Sequence, residues 1–150
     1  MRLSSRYVLA SMLVASLATG AVHAQAAFAT GFGQSWPNVT DVSTNANYHV
    51  YVFDRAGTRY IQVNDAAGNV RGAFARTAYS LTGLPVGSDA ARLATPSEPL
   101  PVPASTAGVI VYDDGSVRIF VAPQSDGTAA LRAAGGDCKT DPTECSSHGP

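Results

Sequence analysis

From Tyr48 onward the chain alternates between short apolar-rich runs and polar clusters, in the order NYHVYVF, DRAGT, RYIQVN, DAAGN, VRGAFA. Runs of Val, Tyr, Phe and Ile with a period of two suit β-strands, whose side chains stand alternately on the two faces of a pleated sheet. Three strands joined by two hairpin turns are therefore predicted. Asp54-Arg55-Ala56-Gly57-Thr58 and Asp65-Ala66-Ala67-Gly68-Asn69 both start with Asp and carry Gly fourth, as in a type I turn closed by a left-handed residue. That geometry sets Asp54 opposite Thr58 and Asp65 opposite Asn69. One face then holds His49, Tyr51, Phe53, Ile61, Val63 and Ala73, and the other holds Tyr48, Val50, Val52, Tyr60, Gln62, Asn64 and Phe74.

A second set of runs, GVIVYDDGSVRIFVAPQSDGTAALRAAG, has turn signals at Asp114-Gly115 and Ser125-Asp126-Gly127 and predicts another three-stranded meander. Laid against the first, it aligns Val50 with Val109, Asp54 with Asp113, Gly57 with Gly115 and Val63 with Val121. A duplication and two independent meanders account for this equally well. The more consistently apolar face, Tyr51, Phe53, Ile61 and Val63 with Ile110, Tyr112, Ile119 and Val121, is expected to form the core. The predicted fold is mainly β: a small antiparallel domain from two three-stranded meanders, stacked as a sandwich or joined in a single sheet.

The flanking segments lack such periodicity. Residues 25–46, rich in Gly, Ser, Thr and Asn, read as an irregular arm that brings Phe28, Phe32 and Trp36 to the β-rich domain at 47–136. Within that domain a connector runs between the meanders. A short strand is expected in 78–86, one helical turn after Ser88, and an extended proline-rich stretch at about 94–107. Residues 137–150 read as a flexible tail.

The first 24 residues change the setting. Arg2 and Arg6 precede an uncharged, mostly apolar stretch from Tyr7 to Leu17, and Val22-His23-Ala24 offers small residues where a signal peptidase requires them. A cleavable signal peptide ending at Ala24 is expected, with export by the general secretory route to the periplasm or the extracellular space. Tyr7 to Val22 is shorter than the ~20 residues a bilayer-spanning helix needs. Processing would leave Arg55, Arg59, Arg71, Arg76, Arg92, Arg118, Arg132 and Lys139 against all eleven acids, a mildly acidic chain without a membrane span. Such a balance argues against a nucleic-acid partner, which takes clustered basic charge. In an oxidising compartment Cys138 and Cys145 would close a disulfide within the tail, contributing about 2.5 kcal/mol by loop-closure entropy. C-x6-C-x2-H fits no zinc-ligand spacing, so no metal is expected.

Catalytic chemistry finds little support. The processed chain has His49 and His148 as its histidines and lacks a Gly-x-Ser-x-Gly elbow, and Asp54, Asp65, Asp113, Asp114 and Asp126 are assigned to turns. No catalytic residue and no cofactor are predicted. The expected function is non-catalytic binding, to a protein partner or an envelope component. Its candidate surface is an aromatic patch with a polar border: Tyr48, Val52, Tyr60, Gln62 and Phe74. The N-terminal arm competes for the same face, and the sheet edges offer strand addition as a further mode. Two alternatives stand beside this reading: an inhibitor of an exogenous hydrolase presenting loop 81–90, LTGLPVGSDA, and a small exported enzyme using the turn carboxylates.

Overall fold

The computed structural model of the chain describes residues 31–135 and 146–147. The first meander comprises β1 (Tyr48–Arg55), β2 (Thr58–Asp65) and β3 (Val70–Arg76), and the connector adds β4 (Leu81–Leu84), giving an antiparallel sheet of order β1-β2-β3-β4. One 3-10 turn (Ala90–Arg92) leads into β5 (Leu93–Ala94). The second meander, β6 (Val109–Asp113), β7 (Val117–Pro123) and β8 (Ala129–Gly135), builds the other sheet, of order β5-β8-β7-β6, with β5 parallel to β8. The fold is thus mainly β, as the alternation predicts, with each meander widened by a connector strand.

The sheets face each other over one core that includes Val50, Ile61, Val63 and Phe74 from the first and Val111, Ile119, Val121 and Leu131 from the second. A Cβ on Gly72 would meet the Leu93 and Leu131 side chains at 2.5 and 3.2 Å, so β3 presses directly on β5 and β8. This places the two layers as a sandwich rather than a single sheet.

The strand register corrects the sequence reading in three places. In the β1–β2 hairpin Arg55 faces Thr58, and the turn is the two residues Ala56 and Gly57, with φ of +48° and +77°. Two left-handed central residues match the twist of the flanking strands better than a type I turn does, which offsets the roughly 1–2 kcal/mol that a left-handed Ala costs. The shorter loop moves β1 by one residue against β2, so Val52 opposes Ile61 and Phe53 opposes Tyr60. In the second hairpin Asp65 does bond Asn69 across the turn, but an irregularity after Val63 sets Phe74 opposite Ile61. Because side chains alternate, each slip turns a strand over. Tyr48, Val50, Val52, Ile61, Val63 and Phe74 share the inner side, whereas His49, Tyr51, Phe53, Tyr60, Gln62 and Asn64 share the outer one. In β6 a further irregularity leaves Tyr112 inward opposite Ile119 and sets Ile110 outward opposite Phe120.

Irregular chain lies along the edges of β1, β6 and β4. Val42 N–H donates to Val50 O (2.8 Å) along β1, and Thr44 N–H donates to Val111 O (2.9 Å) along β6. On β4, Gly83 N–H donates to a Glu98 carboxylate oxygen at 2.9 Å and Ser97 Oγ donates to Leu81 O at 3.0 Å. Irregular chain thus covers groups that would otherwise template pairing with another molecule.

Candidate functional site

The five residues of the sequence-predicted patch do not form one surface. Tyr48, Val52 and Phe74 pack into or against the core, Phe74 being fully buried. Tyr60 and Gln62 lie on the outer side, beneath the arm. There Phe32 meets Phe53 and Tyr60 edge-on, with centroids 5.6 Å apart in each pair. Gln62 accepts from Gly33 N–H (2.6 Å) and donates to Gln34 O and Asn64 Oδ1, both at 2.8 Å. Asn64 donates to Ser35 O at 2.7 Å and to Gly68 O at 3.1 Å. Two buried side-chain amides therefore clamp an otherwise irregular segment, satisfying backbone groups that would lack partners there.

The clamped stretch Gly33–Ser35 leads directly to an aromatic that the arm does not hide. Trp36 is 59% exposed although its ring is fixed from two sides. It lies edge-on to His49 at 5.0 Å, and a Cβ on Gly68 would meet the ring at 2.5 Å. Gly68, at φ +86°, is needed both for the turn and for this close seat. Behind it, His49 Nδ1 lies 2.7 Å from Asp41 Oδ2, and the imidazole stacks on Tyr51. Burial opposes ionisation of Asp41, but hydrogen bonds from Val50 N–H, His49 and Ser43 N–H outweigh it and hold the carboxyl below its usual range. The sequence marks Trp36 only as a large aromatic in an irregular arm; the amide clamp under it comes from outer-face positions whose partners lie far away in the chain.

The Asp41–His49 pair is two-thirds of a hydrolytic triad. Among the described residues no hydroxyl or thiol hydrogen-bonds to the imidazole, and the nearby Ser43 hydroxyl donates to the Asn45 and Val111 carbonyls. The turn aspartates are committed locally. Asp65 accepts from Ala67 and Asn69 N–H, Asp113 from Gly115 N–H and Arg118, Asp126 from Thr128 N–H, and Asp54 from Arg59. Loop 81–90 is no protrusion: β4 pairs with β3, and Ser88 and Asp89 N–H donate to the Val70 and Arg71 carbonyls. Cys138, Cys145 and residues 1–24 lie outside the described residues, among which no cluster of metal-ligating side chains occurs.

One carboxylate ties the two sheets together. Asp114, in the β6–β7 turn, accepts from Ser116 and Val117 N–H, from Tyr112 Oη at 3.0 Å and from Arg59 of β2 at 3.0 Å. Burial resists its charge, yet these donors hold its pKa far below the usual carboxylate range. Burial first, and then the Asp114 carboxylate, push the Tyr112 phenol up to about 12. A phenol whose folded pKa is raised stabilises the fold fully below its unfolded pKa of about 10, and that contribution is lost as pH rises through about 12. Alkaline titration followed by tyrosinate absorbance should show a late step, and Tyr112→Phe should remove it and flatten the stability loss between those two values. A late step that survives in Tyr112→Phe would assign it to another tyrosine.

No family model, curated protein or solved structure matches the chain.

Proposed function

We propose that this protein is an exported, non-catalytic β-sandwich that acts by binding a protein or an envelope component through the surface around Trp36. Export rests on the ordered positive, apolar and small-residue segments of the first 24 residues. The observation that carries the binding reading is an indole held rigid and left 59% exposed. Leaving so large an apolar ring in water costs free energy, whereas a fixed ring loses little entropy when a partner covers it. Tryptophans of this kind dominate interface energetics. His49 and Asp41 supply polar groups at its border.

The reading is tested by affinity capture from envelope extract with the native protein and with Trp36→Ala. The native chain should retain a defined component. Trp36→Ala should lose at least tenfold of that capture while its melting temperature falls by no more than a few degrees, since the ring is mostly solvated. Equal capture by both proteins would remove Trp36 from the contact. Turnover of a hydrolase substrate that is lost in His49→Ala, with folding intact, would favour the enzyme alternative.

A further inference from the structure

On the opposite side of the sandwich the outer face of the second sheet buries a charge that no carboxylate among the described residues balances. Arg132 sits in β8 opposite Phe120 of β7 and beside Ala94 of β5, and it is only 2% exposed. The proline-rich connector and Ser146 lie over it. Its Nη1 donates to Leu100 O at 2.9 Å and to Ser146 O at 3.1 Å, and its Nη2 donates to Pro101 O. Weaker contacts reach the Ser146 and Ser147 hydroxyls at 3.4 and 3.3 Å. Each of these acceptors is neutral. The buried Nε–H has no acceptor, and among the described residues no carboxylate pairs with this guanidinium. By contrast Arg59, Arg71, Arg92 and Arg118 each pair with an aspartate.

Burying a guanidinium without an anion is unfavourable, and carbonyl dipoles offset that cost only in part. Burial accordingly lowers the pKa of Arg132. Arg132 also lines a cleft of about 380 Å³ between the connector and the β7–β8 hairpin, a volume within the small-molecule range. Leu100, Pro103 and Ala130 give that cleft apolar walls, while the Gln124 amide donates to the Ser105 and Ala122 carbonyls and the Thr128 hydroxyl to Asp126. At its rim Arg92 is held only loosely, with Nη2 3.5 Å from Asp126 and both side chains well exposed.

We infer that this cleft binds a small organic carboxylate with an apolar body, its charge directed toward Arg132 and its rim contact made by Arg92. The fold has already desolvated Arg132, so a carboxylate entering the cleft gains attraction without meeting that cost again. Planar carboxylate geometry suits a guanidinium donor, and the apolar walls favour a hydrocarbon body over a fully hydrated anion. Asp126 competes with the ligand for Arg92. This site is independent of the Trp36 surface, and its test does not depend on that surface.

The test titrates the purified protein with benzoate by calorimetry, with inorganic phosphate and chloride as comparison anions, while the Arg132 Nε–H resonance is followed by NMR. Benzoate should bind saturably at one site per chain, at least tenfold tighter than phosphate, and shift that resonance. Arg92→Gln should weaken binding at least fivefold, and Asp126→Asn should strengthen it at least twofold. Arg132→Gln should abolish binding if it folds; Arg92→Gln, at an exposed position, keeps the inference testable if it does not. Benzoate binding no tighter than phosphate, an unmoved Arg132 resonance, or an affinity indifferent to Arg92→Gln would each overturn the inference.

Discussion

Phe74→Ala should lower stability by about 3–5 kcal/mol, as large-to-small changes at fully buried aromatics do. Phe74 is completely buried on the inner side of the first sheet, opposite Ile61 on one neighbour and Gly83 on the other. No side chain on Gly83 can move into the space the ring would leave. At roughly 4 °C per kcal/mol for a domain of this size, the melting temperature should fall by about 12 °C or more. Tyr60→Ala is the informative comparison. The register in the structure puts Tyr60 on the outer side against Phe32, partly solvated, so its loss should cost about 2 kcal/mol less than that of Phe74. The alternation read from sequence sets the two on one face, which would make their losses similar. Chemical denaturation of both variants decides between the two arrangements.

Asp89→Ala should destabilise to a comparable degree, about 3–5 kcal/mol, for an electrostatic reason. Asp89 is 1% exposed, and its Oδ2 lies 2.7 Å from Arg71 Nε, an ion pair by distance that falls short of hydrogen-bond geometry. Its Oδ1 accepts from Ala129 N–H at 3.0 Å. Removing the carboxylate leaves Arg71 with Asp65 at 3.7 Å as its remaining ion-pair partner and strands a buried N–H at the start of β8. The contact joins β3 of one sheet to β8 of the other, so the loss should show as a lower denaturation midpoint with little change in its steepness. Arg71→Met should be costly for the mirror reason, leaving a buried carboxylate. The double variant Asp89→Ala/Arg71→Met should cost clearly less than the two losses added, because neither charge is then orphaned. Additive losses would mean that the pair is not coupled.

The elements themselves were legible because strand alternation and turn residues act locally. Both meanders, the short strand within 78–86 and the helical turn after Ser88 follow from nearest-neighbour chemistry. Register was not legible. Asp54-Arg55-Ala56-Gly57-Thr58 suits a three-residue or a two-residue loop, and hydrophobicity would ordinarily choose by showing which face is greasy. Here it is silent, because Phe53 and Tyr60 on the outer side meet Phe32 of the arm, while Val52 and Phe74 serve the inner side. A covered outer face makes both sides of the strands apolar. β5 leaves no signal in the sequence because two residues carry no period. The Arg132 cleft left one trace, a lone cation within AALRAAG, a run of small apolar residues where a solvated strand would alternate with more polar ones.

The parallel pairing of β5 with β8 has a bearing on how the molecule is assembled in time. Strands β1 to β4 are sequence neighbours and join through short turns, so the first sheet can form as soon as its own segment has been made. β5 must wait for β8, which is the last of the described strands to be made. Until then Val50, Ile61, Val63 and Phe74 have no opposing layer. Long-range closure of this kind slows folding, and an apolar sheet face without its opposing layer is adhesive. Arm and connector residues that already lie along β1 and β4 at that stage would act as guards, since a half-built sheet with occupied edges is slower to recruit its neighbours.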